Sequence, residues 1–272
     1  MNTWHYAGSG NSMVIVDAQQ HPSTLSKAHI IALCSRERLH LPNAEGVLAV
    51  RSIVGNHVVA DYYNPDGSTG AMCGNGGRTL ASWLVNEQHR GYDTPLSITI
   101  AGVTYPSRCP DTDVAEIVFS PPRAFHHYPV GALDGISVDV WYVDVGSDHA
   151  VVFDVGATFD VLSLRHHKAF TRGVNVNMAH VLSPSVVHLS TFERGVEAIT
   201  GACGTGAIST AHVCFVRGLA SSPVTIMPPS NQPLTVATMP LLIGGTGLAL
   251  RGPTSIEHPP VEFSPTDLTY SL

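Results

Sequence analysis

The sequence predicts a mixed α/β (α+β) protein built from two similar halves, on three observations. A strand, a polar loop, a Cys-Gly-x-Gly and a helix occur in that order twice. Short runs of strand type outnumber helical ones in both halves. Ser120-Pro121-Pro122 separates the halves, because paired prolines interrupt helix and sheet alike. The expected limits are residues 1–119, joined by a final strand near 255–272, and residues 120–254.

In the first half, Met13–Asp17 is an apolar run suited to a buried strand. Ser23 or Thr24 caps an expected helix through Cys34, with Leu25, Ala28, Ile31 and Ala32 on one face. Strands are expected at Gly46–Ile53 and His57–Tyr63, turning at Gly55-Asn56, and Asn64-Pro65-Asp66-Gly67 is a second turn. Gly74–His89 reads as a helix stopped near Gly91, followed by strands at Leu96–Ala101 and Val114–Phe119. In the second half, strands are expected at Ile136–Val145, Ala150–Phe153, Asn175–Leu182 and Val186–Phe192, then a helix over Gly204–Gly218. Strands at Val224–Met227, Leu234–Thr238 and Leu248–Arg251 close the chain.

Composition removes several classes of function. Charged residues are only 13% of the 272, about half the usual share, and hydrophobic residues reach 44%, as in a protein with a sizeable core. The net charge of −7 argues against nucleic-acid or anionic-membrane partners, which require a basic patch. No apolar run is long enough to span a bilayer, and the first residues lack a signal core, so a cytoplasmic protein is expected. The five cysteines are widely and irregularly spaced, with no CxxC or HExxH pattern, which speaks against a disulfide framework and against zinc. No metal is expected at the adjacent pairs His126-His127 and His166-His167, whose neighbouring side chains do not converge on one ion. Pyridoxal phosphate needs a Schiff-base lysine, and neither Lys27 nor Lys168 sits in a cofactor motif, so no cofactor is expected.

The two cysteines before the helices carry the chemistry. Cys73 opens Cys-Gly-Asn-Gly-Gly and Cys203 opens Cys-Gly-Thr-Gly, each about ten residues beyond its strand. A helix start presents unpaired amides and partial positive charge, which favour thiolate and hold small anions. Glycines let an anion approach those amides without a Cβ in the way. When a proton leaves the α-carbon of an amino acid, charge spreads into its carboxylate, and helix starts stabilise that transition state. One thiolate takes the proton and a second group, as thiol, delivers one to the opposite face. Two like halves place two such cysteines across a pseudo-twofold axis. Cys34 and Cys214 lie in apolar helices and read as packing residues.

These stretches resemble the active-site motifs of the diaminopimelate epimerase family. Asn64-Pro65-Asp66-Gly67-Ser68 with Met72-Cys73-Gly74-Asn75-Gly76-Gly77-Arg78 is similar to the first motif, and Glu193-Arg194-Gly195-Val196 with Ala202-Cys203-Gly204-Thr205-Gly206 to the second. Gly8-Ser9-Gly10-Asn11, Gly173-Val174-Asn175-Val176 and, in part, Gly146-Ser147-Asp148-His149 fit in the same order. The resemblance implies two domains, each wrapping strands around a central helix, with the site in the cleft between them. It implies Cys73 and Cys203 as the acid–base pair, assisted by His149 and Glu193. It further implies that Asn11, Asn75 and the amides of Gly74, Asn75, Gly204 and Thr205 bind the reacting carboxylate and ammonium. Asn64, Asn175 and Arg194 would hold a distal carboxylate, the guanidinium matching two oxygens. Asn64 equally suits a turn alone, and His149 a structural hydrogen bond. Three departures touch the substrate more than the reaction: Ala198-Ile199-Thr200-Gly201 where Glu-Thr is common, Asp148 where the loop carries proline, and Ser12-Met13 for Asp-Phe. The expected partner is a small amino acid, with no nucleic acid or membrane, in a chain compatible with a homodimer. A racemase of another amino acid and a non-catalytic amino-acid binder are the alternatives.

Overall fold

A hairpin, a helix and a second hairpin laid parallel to the first is the assembly rule in each of two units. The computed structural model describes residues 1–19, 25–70, 72–241 and 244–263. One unit is Met1–Ile117 with the chain from Gly252 onward, and the other is Val118–Arg251.

In the first unit β1 (Asn2–Gly8) and β2 (Asn11–Asp17) form a hairpin, and helix α1 (Lys27–Ser35) follows. Next come β3 (Gly46–Val54) and β4 (His57–Tyr63), also a hairpin, then α2 (Gly74–Asn86), then the hairpin β5 (Leu96–Ile100) and β6 (Val103–Asp111), with β7 (Val114–Phe119) after it. The pairings β2 with β3 and β4 with β5 are parallel. A parallel pairing requires a crossover, and α1 and α2 are those crossovers.

The second unit repeats the rule. After β8 (Ala124–Tyr128) come β9 (Val140–Asp144), β10 (Asp148–Phe153), α3 (Val161–Arg165), β11 (Asn175–Ser183) and β12 (Val186–Glu193). The short β13 (Ala198–Ile199) precedes α4 (Gly204–Val216), β14 (Val224–Met227), β15 (Leu234–Pro240) and β16 (Thr246–Glu262). Here β10 runs parallel to β11 and β12 parallel to β14, across α3 and α4. Residues 246–251 of β16 pair with β15, and residues 254–262 pair with β1.

The two long helices are central because they are composed to be. All of Gly74–Val85 is buried, as are Gly204–Ala211, Val213 and Cys214. Both helices are rich in Gly, Ala, Ser and Thr, so strands pass close to them. A Cβ on Gly77 would fall 2.6 Å from Ile117 Cδ1. Further along α2, Trp83 stacks edge-on to Trp4 at 5.2 Å. Trp4 Nε1 and Tyr6 Oη donate to the Glu87 carboxylate at 3.1 and 3.3 Å, tying the end of α2 to β1. The helix therefore stops at Asn86, three residues short of the expected His89.

Other differences from the sequence reading have local causes. The proposed caps Ser23 and Thr24 lie outside the described residues, and Ser26 caps α1 in a reciprocal pair with His29. The face of α1 that packs is Ile30, Leu33 and Cys34 against Val14, Val16 and Val47, whereas Ile31 is 45% exposed. Eight of the ten residues from Leu25 to Cys34 are apolar or small, so periodicity does not choose a face. Strand β1 was unpredicted because six of its seven residues are buried, polar Thr3 and His5 included, which erases alternation.

Trp83→Ala is expected to destabilise the protein by about 3–5 kcal/mol, from lost burial plus the cavity left behind. Urea denaturation followed by fluorescence and circular dichroism measures it.

Candidate active site

Cys73 is the last extended residue before α2, at φ −112° and ψ 114°, and its Sγ accepts from Gly76 N at 3.3 Å. Three features hold this helix start. The Gly8–Asn11 hairpin turns through Ser9 and Gly10, both at positive φ, a geometry the glycine permits. That turn abuts the helix so closely that a Cβ on Gly8 would lie 2.9 Å from Asn75 O. Beneath both, the fully buried Arg78 donates to Ser9 Oγ and Asn75 Oδ1, each at 2.9 Å, and to Gly74 O at 3.3 Å. Burial lowers the Arg78 pKa to about 10, against the favourable pull of Cys73, so it stays cationic at neutral pH beside the sulfur. Sequence reading assigned Arg78 no role, and a cation directly after Gly-Gly in a small-residue helix was the available signal.

Asn11 and Asn75 are buried at this start, 3% exposed each. Asn64 lies in the turn after β4, where its Nδ2 donates to Ser68 Oγ at 3.0 Å.

Cys203 holds the corresponding place before α4, at φ −116° and ψ 110°, with its Sγ 3.6 Å from Thr205 Oγ1. Glu193, the last residue of β12, bends back through Gly195 and Glu197, both at positive φ. Its carboxylate accepts from the Thr200 hydroxyl and the Cys203 thiol. Burial raises the Glu193 pKa, and these two donors offset that only in part. The sulfur thus faces a carboxylate of increased basicity.

His149, fully buried on β10, lies between Ser147 Oγ (2.8 Å from Nε2) and Asn177 Nδ2 (3.0 Å from Nδ1). Asn175 bridges Asp148 O and Arg194 N, both at 2.9 Å. Arg194 Nη1 donates to Asp148 Oδ2 at 3.2 Å and to the carbonyls of Arg172 and Gly173. The Asp148 carboxyl, which burial alone would raise, is held below its ordinary value by donors from Tyr142 (2.6 Å), Arg172 (2.9 Å) and Arg194. A polar cavity of about 330 Å³ opens beside it, lined by Tyr142, Asp148, Arg172 and Gly173. Thus the second unit groups these side chains into three hydrogen-bonded sets: His149 with Ser147 and Asn177, Asn175 and Arg194 with Asp148, and Glu193 with Thr200 and Cys203, whose sulfur lies beside Thr205. Sequence reading gave Ser147 and Thr200 no role and did not single out Arg172, Asn177 or Thr191, ordinary polar residues until pairing brings them together.

The remaining cysteines differ in kind. Cys34, Cys109 and Cys214 are buried, and burial pushes their pKa values to about 12, 12 and 11. Among the described residues no three His, Cys, Asp or Glu side chains are grouped to hold a metal, and no helix is long and apolar enough to cross a membrane.

This architecture is shared with solved structures. A phenazine biosynthesis protein of the PhzF family from Bacillus anthracis superposes with a TM-score of 0.72 at 13% identity, covering 97% of this chain and 99% of that one. A probable proline racemase from Agrobacterium radiobacter K84 gives 0.69 at 14% identity, covering 97% and 92%. Sequence similarity is narrower: residues 3–109 match the family described as Diaminopimelate epimerase. The diaminopimelate epimerase of Chlorobaculum tepidum is 32% identical over 242 residues, 85% of this chain and 90% of that relative. The chain belongs to the diaminopimelate epimerase family and is an isomerase of the epimerase and racemase type.

Asp148 gives a pH signature. Its folded-state pKa lies below the unfolded value of 3.8, so its stabilisation is complete above that value and is lost as pH falls through the folded one. Asp148→Asn is expected to flatten the loss of melting temperature toward pH ~3, measured by thermal unfolding across the acid range.

Proposed function

We propose that this chain interconverts the L,L and meso forms of diaminopimelate, supplying lysine and peptidoglycan synthesis, by a two-base proton transfer between Cys73 and Cys203 without a cofactor. The observation that carries this reading is the equivalence of the two helix starts. Their backbone angles agree within 4° in φ and ψ, and each opens a buried 13-residue helix through Gly-x-Gly. One thiolate removes the α-proton, the other cysteine, as thiol, protonates the opposite face, and reversal exchanges their states.

The surroundings support a division of labour. The Arg78 cation stabilises negative charge at Cys73, making it the resting thiolate. Glu193 accepts from Cys203, keeping that sulfur protonated, and takes up its proton when the roles reverse. Amides of Gly74, Asn75, Gly204 and Thr205, with the Asn11 and Asn75 side chains, hold the reacting carboxylate and ammonium. Asn64, Asn175 and Arg194 receive the distal carboxylate.

A second reading, racemisation of another amino acid, is favoured by one observation: Asp148 already engages Arg194. Turnover of diaminopimelate compared with histidine, glutamate and proline separates the two. Activity confined to an amino acid with one carboxylate would move the assignment to the second.

Cys73→Ala and Cys203→Ala are each expected to slow epimerisation by about 10²–10⁴-fold. Mass spectrometry of diaminopimelate incubated with protein in deuterated water is the readout. A wild-type protein that leaves the α-hydrogen unexchanged is a binder, which would end this reading.

A further inference from the structure

One wall of the first unit holds polar atoms that its own folding leaves unbonded. His5 on β1 and Arg36 at the end of α1 are only 3% and 4% exposed. Arg36 is engaged on two sides: its Nε donates to Pro42 O at 2.6 Å and its Nη1 to Glu257 Oε2 at 2.5 Å. The other oxygen of that carboxylate accepts from Ser12 Oγ at 2.6 Å. Arg36 Nη2 has no hydrogen-bond partner among the described residues, and neither Nδ1 nor Nε2 of His5 has one. Burial lowers the His5 pKa to about 4, and the charges of Arg36 and His258 act in the same direction. The ring is therefore neutral near pH 7, with one N–H and one bare nitrogen.

A buried donor without a partner has lost its bonds to water and gained none, so such atoms in native proteins call for a ligand or ordered water. Space for one is present. A cavity of about 300 Å³ lies against β1, α1 and the end of β16, and both His5 and Arg36 line it. That volume is at the lower end of the range for small-molecule sites. Ala32, Leu33, Leu39, Val261 and Phe263 form an apolar wall. Three further charged lining residues, Glu37, Arg38 and Glu262, are exposed, so water screens them. None of the residues assigned to the reaction lines this cavity.

We propose that the cavity binds a small organic monocarboxylate with an apolar tail, one oxygen accepting from Arg36 Nη2 and the other from the His5 N–H. The tail lies against Leu33, Leu39, Val261 and Phe263. A guanidinium edge suits a carboxylate because its N–H groups are fixed in a plane and charged. An ammonium in the same place would meet the guanidinium charge, and a neutral amide would forgo the charge-assisted bond.

The test uses the full chain with ¹⁵N-labelled histidine and 3-methylbutanoate as the probe. His5→Phe keeps a flat ring without nitrogen, and the signal it removes identifies His5. That signal is expected to shift as 3-methylbutanoate is added, with a Kd on the order of 1 mM or below. It is expected to stay in place with 3-methylbutanamide, which has the same shape and no charge. Ligand-observed NMR is expected to show His5→Phe binding the probe about tenfold more weakly. Ala32→Phe fills the cavity from the half-buried side of α1 and leaves both donors present. It is expected to abolish the His5 shift while circular dichroism shows the fold retained. A His5 signal that 3-methylbutanoate does not move, as when water alone fills the cavity, overturns the proposal. So does one moved equally by the amide, or still moved in Ala32→Phe. If His5→Phe does not fold, the probe binding that Ala32→Phe removes, compared between acid and amide, still decides.

Discussion

Two helices begin inside rings of strands, and the crowding at those starts governs the surrounding sequence. Gly77 and Gly206 have no room for a side chain, the first against Ile117 and Met72, the second against Asn177 and Thr191. Gly8 is equally constrained by the carbonyl of Asn75. A helix start leaves amides without intrahelical partners. The cysteine immediately before each start is held in extended backbone.

The two starts are alike in backbone and opposite in electrostatics. Beneath the first is a fully buried guanidinium whose hydrogens reach Gly74 O, Ser9 and Asn75. Against the second is a carboxyl group whose pKa burial has raised. The proposed two-base chemistry needs one deprotonated and one protonated thiol at the outset, a division that a cation beside one and a basic carboxylate beside the other would favour. An exact internal repeat would lack this bias.

Two of the three departures from the family's usual loops fall in the second unit. Asp148 replaces a proline and collects Tyr142, Arg172 and Arg194, anchoring a loop that proline would stiffen by covalent restraint alone. Thr200, in the altered stretch before Cys203, places its hydroxyl on Glu193. Asn177 fills the space beneath Gly206 and bonds His149.

Local chemistry was enough to locate the elements bearing the cysteines. The strand His57–Tyr63, the starts of α2 and α4, and the packing role of Cys34 and Cys214 all follow from short-range signals: alternation, glycine after cysteine, and apolar helical context. Elements without such signals escaped, among them β1 and β6, whose residues become buried on both faces or alternate with proline and arginine. What only tertiary structure decided was partnership. Arg78, Asp148, Asn177 and Thr200 acquire their partners when the fold brings a carbonyl, a carboxylate, a guanidinium or a ring within hydrogen-bond reach. The physical reason is range: backbone preference acts over a few residues, whereas hydrogen-bond direction and burial are set by whatever the fold places alongside.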